Sequence, residues 1–470
     1  MRTYCRIFEI QTETFMARII NLLLLVVIFQ TASAQTKSPL ISGPWTGNVQ
    51  LRNATIWLEV APSVKSVMVK YKSAGQPEKS VSYKGSLGND FNPVKIELNG
   101  LMFNSTYQYS IWLDGKEVRI PFPTRFTTLD LWQWRKPAPD FSFLTGSCAY
   151  FNEPLFDRPG KPYGGDSSIF ETMAKSGADF NIWLGDNWYT REVDYNTVWG
   201  LNYRASHDRA IPVLQQFMAS MPQYSIWDDH DFGPNDAGKN YLLKDDSRRI
   251  FMNYSCNPAY GEDGKGIYSL YSYSDVDFFL TDDRYFRADS HLPDSLHGQA
   301  NAEKTYFGRA QMEWLKNALL YSHATFKIIV TGSQVLNPLN TFECMQQYKG
   351  EYQELMNFLS DHQIPGVVFL TGDRHHSEVI ELKRPNGLYP LYDITSSPLT
   401  SGVAKARGVE ADNPYRVSNT LVELQNFSKI SVTGKKNERV LQVLFLGIKG
   451  DKLAEWKVSE TDLKVTKKPN

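Results

Sequence analysis

The sequence has no internal repeat and no low-complexity segment, which excludes a solenoid and a compositionally biased tail. It also has little charge of one sign. A net charge of −1 over 470 residues, with 13% aromatics, excludes both a disordered chain and an extended basic surface for a nucleic-acid scaffold. Cysteine is scarce, with only Cys5, Cys148, Cys256 and Cys344, so this is not a disulfide-stapled mini-domain. Long apolar runs are missing too: Ile19 to Phe29 is too short and wrongly flanked for a stable transmembrane anchor. What remains is a globular chain long enough for two domains and a large core.

The N-terminus reads as a targeting segment. Arg18 precedes the apolar run, and Ala32-Ser33-Ala34 follows as a small-residue cleavage site before Gln35. Residues 1–34 are therefore expected to be a signal peptide, with Met16 an alternative start, and the mature protein to be exported to the periplasm or beyond. Cleavage would remove Cys5 and leave an odd three cysteines. Pairing of Cys256 with Cys344 stays open.

Residues 38–128 read as a small all-β domain. Alternation runs through Thr55 to Val60, Val67 to Tyr71 and Tyr107 to Trp112, with Asn99-Gly100 and Asp114-Gly115 as hairpin dipeptides. This spacing predicts a β-sandwich of fibronectin type III or immunoglobulin kind. Pro137-Ala138-Pro139 reads as a linker. From Asp140 to about Val465 strands alternate with helices, predicting α/β layering with ligands at the carboxyl ends of strands. Helices are predicted over Ile169–Ala174 (with Ser168 and Glu171 as a capping box), Arg209–Met218, Arg309–Leu319 and Glu351–Leu359. Strands return between Leu421 and Val465.

The chemistry gathers at predicted strand ends. Gly185-Asp186-Asn187-Trp188-Tyr189 follows Phe180–Leu184, Asp228-Asp229-His230-Asp231 follows Tyr224–Ile226, and Gly372-Asp373-Arg374-His375-His376 follows Val367–Leu370. Three carboxylates and an imidazole within four residues cannot all be buried without a cation or a basic partner. A carboxylate at Asp186 can bridge two metals while the Tyr189 phenolate binds one, a pairing that suits trivalent iron beside a divalent ion. Asp229 is expected to bind metal and His230 to protonate a leaving alkoxide, with Asp231 or Asp228 orienting the imidazole. Asp373 and His375 are alternate residues that an extended loop can arrange around two metals. His376 is out of phase with them. Cys148, after Phe141–Leu144, shares the strand-end register of the acidic motifs and joins the metal candidates. Arg284 and Arg374 are candidates for binding phosphate oxygens. Gln334 and Asp228 are further ligand candidates, Gln334 offering a neutral oxygen.

Taken together, Gly146-Ser147-Cys148, the Asp186 and Asp229 motifs, Asp282-Asp283-Arg284-Tyr285-Phe286-Arg287, Gln311 with Trp314-Leu315, Gly332-Ser333-Gln334 and Gly372-Asp373-Arg374-His375 resemble the alkaline phosphatase D family. That family is a branch of the calcineurin-like and purple-acid-phosphatase-like metallophosphoesterases. The resemblance implies a four-layer α-β-β-α catalytic domain behind a β-sandwich, and a site holding Fe3+ plus Ca2+ or another divalent ion. It implies iron on Cys148, Asp186, Tyr189 and His375, with Asp186 bridging and Asp229 and Asp373 as further ligands. Gln334 stands where the wider superfamily uses a histidine. Cys148 stands in place of the aspartate and histidine pair that opens most calcineurin-like sites.

The expected function is an exported metal-dependent hydrolase of small phosphate esters, a phosphomonoesterase or phosphodiesterase using a metal-bound hydroxide, working as a monomer. A phospholipase D-like or wall-polymer phosphodiesterase is the rival among enzymes. A non-catalytic surface-binding protein with a vestigial metal site is the rival outside them, and retention of the acidic positions with His230 argues against it.

Overall fold

The computed structural model describes residues 38–465. The leader expected over 1–34, with Cys5 and Met16, lies outside the described residues. Among the described residues no helix is long and apolar enough to cross a membrane.

Eight strands come first: β1 (Leu40–Gly47), β2 (Asn53–Val60), β3 (Val67–Ser73), β4 (Lys79–Ser82), β5 (Pro93–Asn99), β6 (Thr106–Leu113), β7 (Lys116–Glu117) and β8 (Arg125–Thr127). They form one sheet ordered β1-β2-β5 and a second ordered β4-β3-β6-β7, with β8 also on β6. Buried and more exposed residues alternate along β5 and β6, as a half-buried strand requires. In β2 the period survives but both faces are covered. Ile56, Leu58 and Val60 enter the core shared by the two small sheets, while Trp57 enters the main core. There Trp57 stacks on Trp45 at 5.0 Å and donates Nε1–H to the Asn253 carbonyl at 2.7 Å. Asp114-Gly115 forms the tight β6–β7 turn, both residues with positive φ. Asn99-Gly100 closes no hairpin, because the chain there crosses from one small sheet to the other.

The remaining elements are β9 (Phe141–Gly146), α1 (Ile169–Ala174), β10 (Phe180–Leu184), α2 (Val198–Arg209), α3 (Pro212–Ser220), β11 (Gln223–Ile226), the single turn α4 (Asp229–Phe232), α5 (Lys244–Tyr254), β12 (Ser269–Tyr273), β13 (Val276–Leu280), the ribbon β14 (Ser295–Leu296) and β15 (Gln299–Ala300), α6 (Gly308–Tyr321), β16 (Phe326–Val330), α7 (Lys349–Asp361), β17 (Val367–Thr371), β18 (Glu378–Leu382), β19 (Leu391–Thr395), β20 (Asn426–Thr433), β21 (Val440–Gly447) and β22 (Lys452–Ser459). They build two mixed six-stranded sheets, β11-β10-β9-β20-β21-β22 and β12-β13-β16-β17-β19-β18. Strands β9, β10 and β11 run parallel in the first, and β13, β16, β17 and β19 run parallel in the second. Apolar runs such as Val367–Thr371 are buried throughout, the pattern of parallel strands covered on both faces. Phe143 of β9 and Phe180 of β10 meet Phe278 of β13 edge-on at 5.2 and 5.5 Å, so the two sheets share one core. Phe170 of α1 and Phe217 of α3 pack on Trp183 of β10, and Trp314 of α6 packs on Phe279 of β13.

Two helical expectations change. The helix expected over Arg209–Met218 is two helices. Pro212 lacks an N–H and restricts the residue before it, so α2 ends at Arg209 and α3 begins with Pro212 in its first turn. The capping box of Ser168 with Glu171 does not form, since Ser168 itself has helical φ and ψ and accepts no cap bond. Its N–H instead goes to Asp166 Oδ1 at 2.9 Å.

Candidate metal centre

Parallel strands bring their carboxyl ends to one edge, and the two facing sheets bring two such edges together. Cys148, Asp186 and Asp228-Asp229 follow β9, β10 and β11. Asp283-Arg284, Gln334 and Asp373 follow β13, β16 and β17. The approach is close enough to require glycine at two points. A Cβ on Gly185, whose φ is 92°, would lie 2.6 Å from Asp228 Cβ, and one on Gly372 would lie 2.7 Å from Ser147 Cβ of the opposite sheet. The Gly-Asp pairs in the sequence are thus a packing requirement next to a donor.

Four of the expected ligands adopt left-handed backbone: Cys148 (φ 63°), Asp186 (52°), Asp373 (66°) and His375 (56°). Such conformations cost on the order of 1–3 kcal/mol for a residue with a side chain and persist where surrounding structure dictates them. Donor atoms of Cys148, Asp186 and His375 lie within 4.8 Å of one another, as do those of Asp186, Asp229 and His230, and those of Asp228, Asp229 and Glu343. Tyr189 donates its hydroxyl to Asp186 Oδ2 at 2.8 Å. Asp373 belongs to none of these three groups but lies in the same cleft, with its backbone carbonyl 3.8 Å from Cys148 Sγ.

The first of these clusters is oriented by its surroundings. His375 Nδ1 lies 2.5 Å from the Gly402 carbonyl, which holds the proton on Nδ1 and leaves Nε2 as the free donor atom. Tyr163 Oη and Ser401 Oγ lie 3.1 and 3.2 Å from the same nitrogen. Ser397 Oγ donates to Cys148 Sγ at 3.2 Å, suiting a sulfur that carries negative charge. The three cysteines among the described residues are free and buried, so Cys256 and Cys344 do not pair.

Electrostatically the cleft is short of positive charge. Asp186, Asp228, Asp229, Asp283, Glu343 and Asp373 are answered by Arg284, Arg287 and Arg374, the last of which is also paired with Glu410. Burial, with carboxylate neighbours adding to it, holds Asp186 and Asp373 well above the usual carboxylate range. Burial lifts Asp228 likewise, against the pull of Arg284. Asp229 goes the other way: burial opposes ionisation, but His230 and Arg284 hold it well below the usual range. Burial, followed by Asp186 and other neighbouring charges, raises the Cys148 thiol and the Tyr189 phenol. Asp228 Oδ2, Asp283 Oδ1 and His230 Nδ1 are buried without a protein partner. A thiol, a phenol, an imidazole and several carboxylates in this state fit polyvalent cations, which ionise their ligands and replace the missing positive charge.

Other expected residues serve different neighbours. Arg284 is fully buried and its fork is occupied by Asp228 and Glu343, so it acts as an internal counter-ion. Arg374 donates to Glu410 Oε2 at 2.7 Å and to Asn340 Oδ1 at 2.9 Å. Gln334 donates to Glu378 and Thr395, and its oxygen accepts from Asn337 and Asn340, so a buried polar network engages both ends of the amide. His376 is buried, with Nε2 3.6 Å from Glu378 Oε1. Neither Asp231 nor Asp228 holds the His230 ring. Asp231 accepts from the N–H groups of Asn187, Trp188 and Asp228, which braces the turn and leaves its oxygens no reach to the imidazole. His230 instead stacks on Tyr189 with ring centres 4.1 Å apart, and its Nε2 is 3.9 Å from Asp229 Oδ2. Beside this pair opens a cavity of about 510 Å³, lined by Tyr150, Tyr163, Tyr189, Tyr195 and His230 among others. Sequence reading missed Glu343 and Tyr163. Each lies in an irregular loop with no apolar run ahead of it, so no strand-end signal marks it.

Comparison with known proteins bears on the family and the fold. The chain is 21% identical over 408 residues to alkaline phosphatase D of Bacillus subtilis (strain 168), a match covering 72% of this chain. It spans 65% of that curated relative's length. Its fold matches the solved structure of PhoD with a TM-score of 0.71, at 19% identity over 91% of this chain and 92% of that one. It also matches the purple acid phosphatase PPD1 from yellow lupin (Lupinus luteus) seeds with a TM-score of 0.60, at 10% identity over 89% of this chain and 75% of that one. The family model described as PhoD-like phosphatase matches residues 143–438, more than half of the chain, and the chain therefore belongs to the PhoD-like phosphatase family.

Proposed function

We propose that this chain is an exported metal-dependent hydrolase of phosphate esters, acting on monoesters, diesters or both. In this reading Cys148, Asp186, Tyr189 and His375 hold Fe3+, while Asp186, Asp229 and Asp373 hold Ca2+ or another divalent ion. Residues 38–128 are the β-sandwich, and 140–465 form the four-layer α-β-β-α catalytic domain. The observation that carries the reading is the convergence of strained strand-end donors from two sheets on a cleft with too little positive charge.

When bound, such cations neutralise charge building on phosphoryl oxygens and lower the pKa of water. The protein's own residues do the rest. Tyr189 holds the His230 ring by stacking, at the mouth of the tyrosine-lined cavity, and the imidazole protonates the departing oxygen. Arg284 and Glu343 fix Asp228 and Asp229 from behind.

Elemental analysis of the purified protein, combined with turnover of p-nitrophenyl phosphate and bis-p-nitrophenyl phosphate, tests this. Tightly held metal and hydrolysis of at least one ester are expected, with Asp186→Asn lowering turnover by about 1,000-fold or more. Protein free of metal, or Asp186→Asn with full activity, would remove the proposal.

A further inference from the structure

The cavity beside His230 has a wall unlike an ordinary apolar pocket. Tyr163 meets Tyr150 edge-on at 5.0 Å, and Tyr150 meets Tyr189 edge-on at 5.1 Å. Tyr195 lines the same space. Its lining includes no Leu, Ile or Val among the described residues, the apolar surface being the tyrosine rings with Pro159, Pro162 and Pro234. The wall is built in advance. Asp157 accepts from Tyr150 Oη at 2.6 Å and from Arg191 Nh2 at 3.1 Å, tying the loop that carries Tyr163 to the strand-end segment of Tyr189. Tyr163 is nevertheless 46% exposed, so an aromatic surface stays open to a ligand. Lys161 stands at the rim with no hydrogen bond or ion pair among the described residues, which suits an anionic substrate. About 510 Å³ lies within the range of small-molecule sites.

We infer that this cavity receives the leaving half of the substrate, and that this half is an alcohol bearing a planar ring, of the nucleoside class. The inference rests on the phosphoesterase reading and deepens it. Water supplies the oxygen that ends on phosphorus, the bond from phosphorus to the ester oxygen breaks, and His230 returns a proton to that oxygen. The ring adds binding through stacking on aromatic walls, which is worth about tenfold or more per base. Tyr195 is the proposed specificity residue, because it lines the cavity and is none of the expected metal-binding residues.

The test compares adenosine 5′-phosphate with ribose 5-phosphate, and the methyl ester of each, using the purified metal-loaded protein. With release of adenosine or ribose as the readout, the bond from phosphorus to the same 5′ oxygen breaks in all four, so intrinsic reactivity is matched and only the ring differs. The expected result is a kcat/KM ratio of about ten or more in favour of the ring-bearing member. Tyr195→Leu should bring that ratio to within about twofold of one, and Tyr195→Phe should keep it. In wild-type protein, adenosine should inhibit p-nitrophenyl phosphate turnover competitively and ribose should not, a readout that needs no variant to fold. A wild-type ratio near one, or a ratio that survives in Tyr195→Leu, overturns the inference and leaves the phosphoesterase reading standing. Hydrolysis of none of the four esters, nor of p-nitrophenyl phosphate, overturns both.

Discussion

Two buried, charge-dense regions of this chain each contain a histidine next to an aspartate, and they have opposite characters. In α2, Arg204 is fully buried and reaches Asp194 at 2.8 Å, Glu153 at 2.8 Å and Asp208 at 3.1 Å, while His207 Nδ1 lies 2.8 Å from Asp208. One arginine there touches all three carboxylates, and His207 adds a contact to Asp208, in a network that cross-braces the helix. At the cleft, Asp229-His230 follows a strand end where six carboxyl groups meet three guanidinium groups, and three of the carboxyls are pushed well above their usual range. A His-Asp neighbour pair therefore says little by itself. What separates a structural network from a reactive one is whether each carboxylate has a cation in contact, as all three do around α2 and as Asp186 and Asp373 do not among the described residues.

The comparison can be broken most sharply at His230. His230→Ala should lower kcat for alkyl phosphate esters by 10²–10⁴-fold, and much less for p-nitrophenyl esters, whose departing oxygen needs no proton. His207→Ala should leave kcat within about twofold. If the two histidines gave equal losses, the distinction would fail.

Next in size is Arg204→Met. Removing the arginine that touches buried Asp194 and Asp208 and the partly exposed Glu153 should cost about 3–5 kcal/mol of unfolding free energy, read from urea or thermal denaturation, with kcat of the folded fraction retained. A smaller effect on stability comes from metal removal. Chelation should abolish turnover and lower Tm, corresponding to about 2.7 kcal/mol when the cation had been at a hundred times its Kd. The loss caused by Arg204→Met should be the same before and after chelation if the regions are independent.

The smallest effect is a pH dependence in the α2 network. The hydrogen bond to Asp208 raises the pKa of His207 above its ordinary value, with burial opposing. A raised folded-state pKa stabilises fully below the unfolded value of about 6.5, and that stability fades as pH rises through the raised value. His207 is about a third exposed, so solvent screening holds the effect to about 0.5 kcal/mol or less. Stability of wild type relative to His207→Gln, followed across that interval, should fall with rising pH. A difference that grew with pH would reverse the assignment.

Much of the candidate site was legible because its donors sit one or two residues beyond apolar runs. Asp186, Asp228-Asp229 and Asp373 each follow a five-residue or shorter strand that periodicity alone marks. Glu343 escaped because its role depends on Arg284 and Arg287, contacts made nearly sixty residues away in sequence. Gln334 and Arg374 also sit at strand ends, yet the polar network around Glu378 and Glu410 engages them, which local sequence cannot foretell. The alternation in β2 was read correctly, but whether its second face met water or a second core depended on Trp45 and α5.

By itself the sequence determined the alternation of strands and helices, the chemical types of the donors and their register at strand ends, because these follow from local periodicity and side-chain chemistry. Tertiary structure decided that the strand ends belong to two facing sheets rather than one. It decided which carboxylates receive an arginine and which are left for a cation, and it turned the tyrosines of a loop and a strand end into one wall beside His230. Those outcomes rest on contacts between residues distant in sequence, and no local pattern records them.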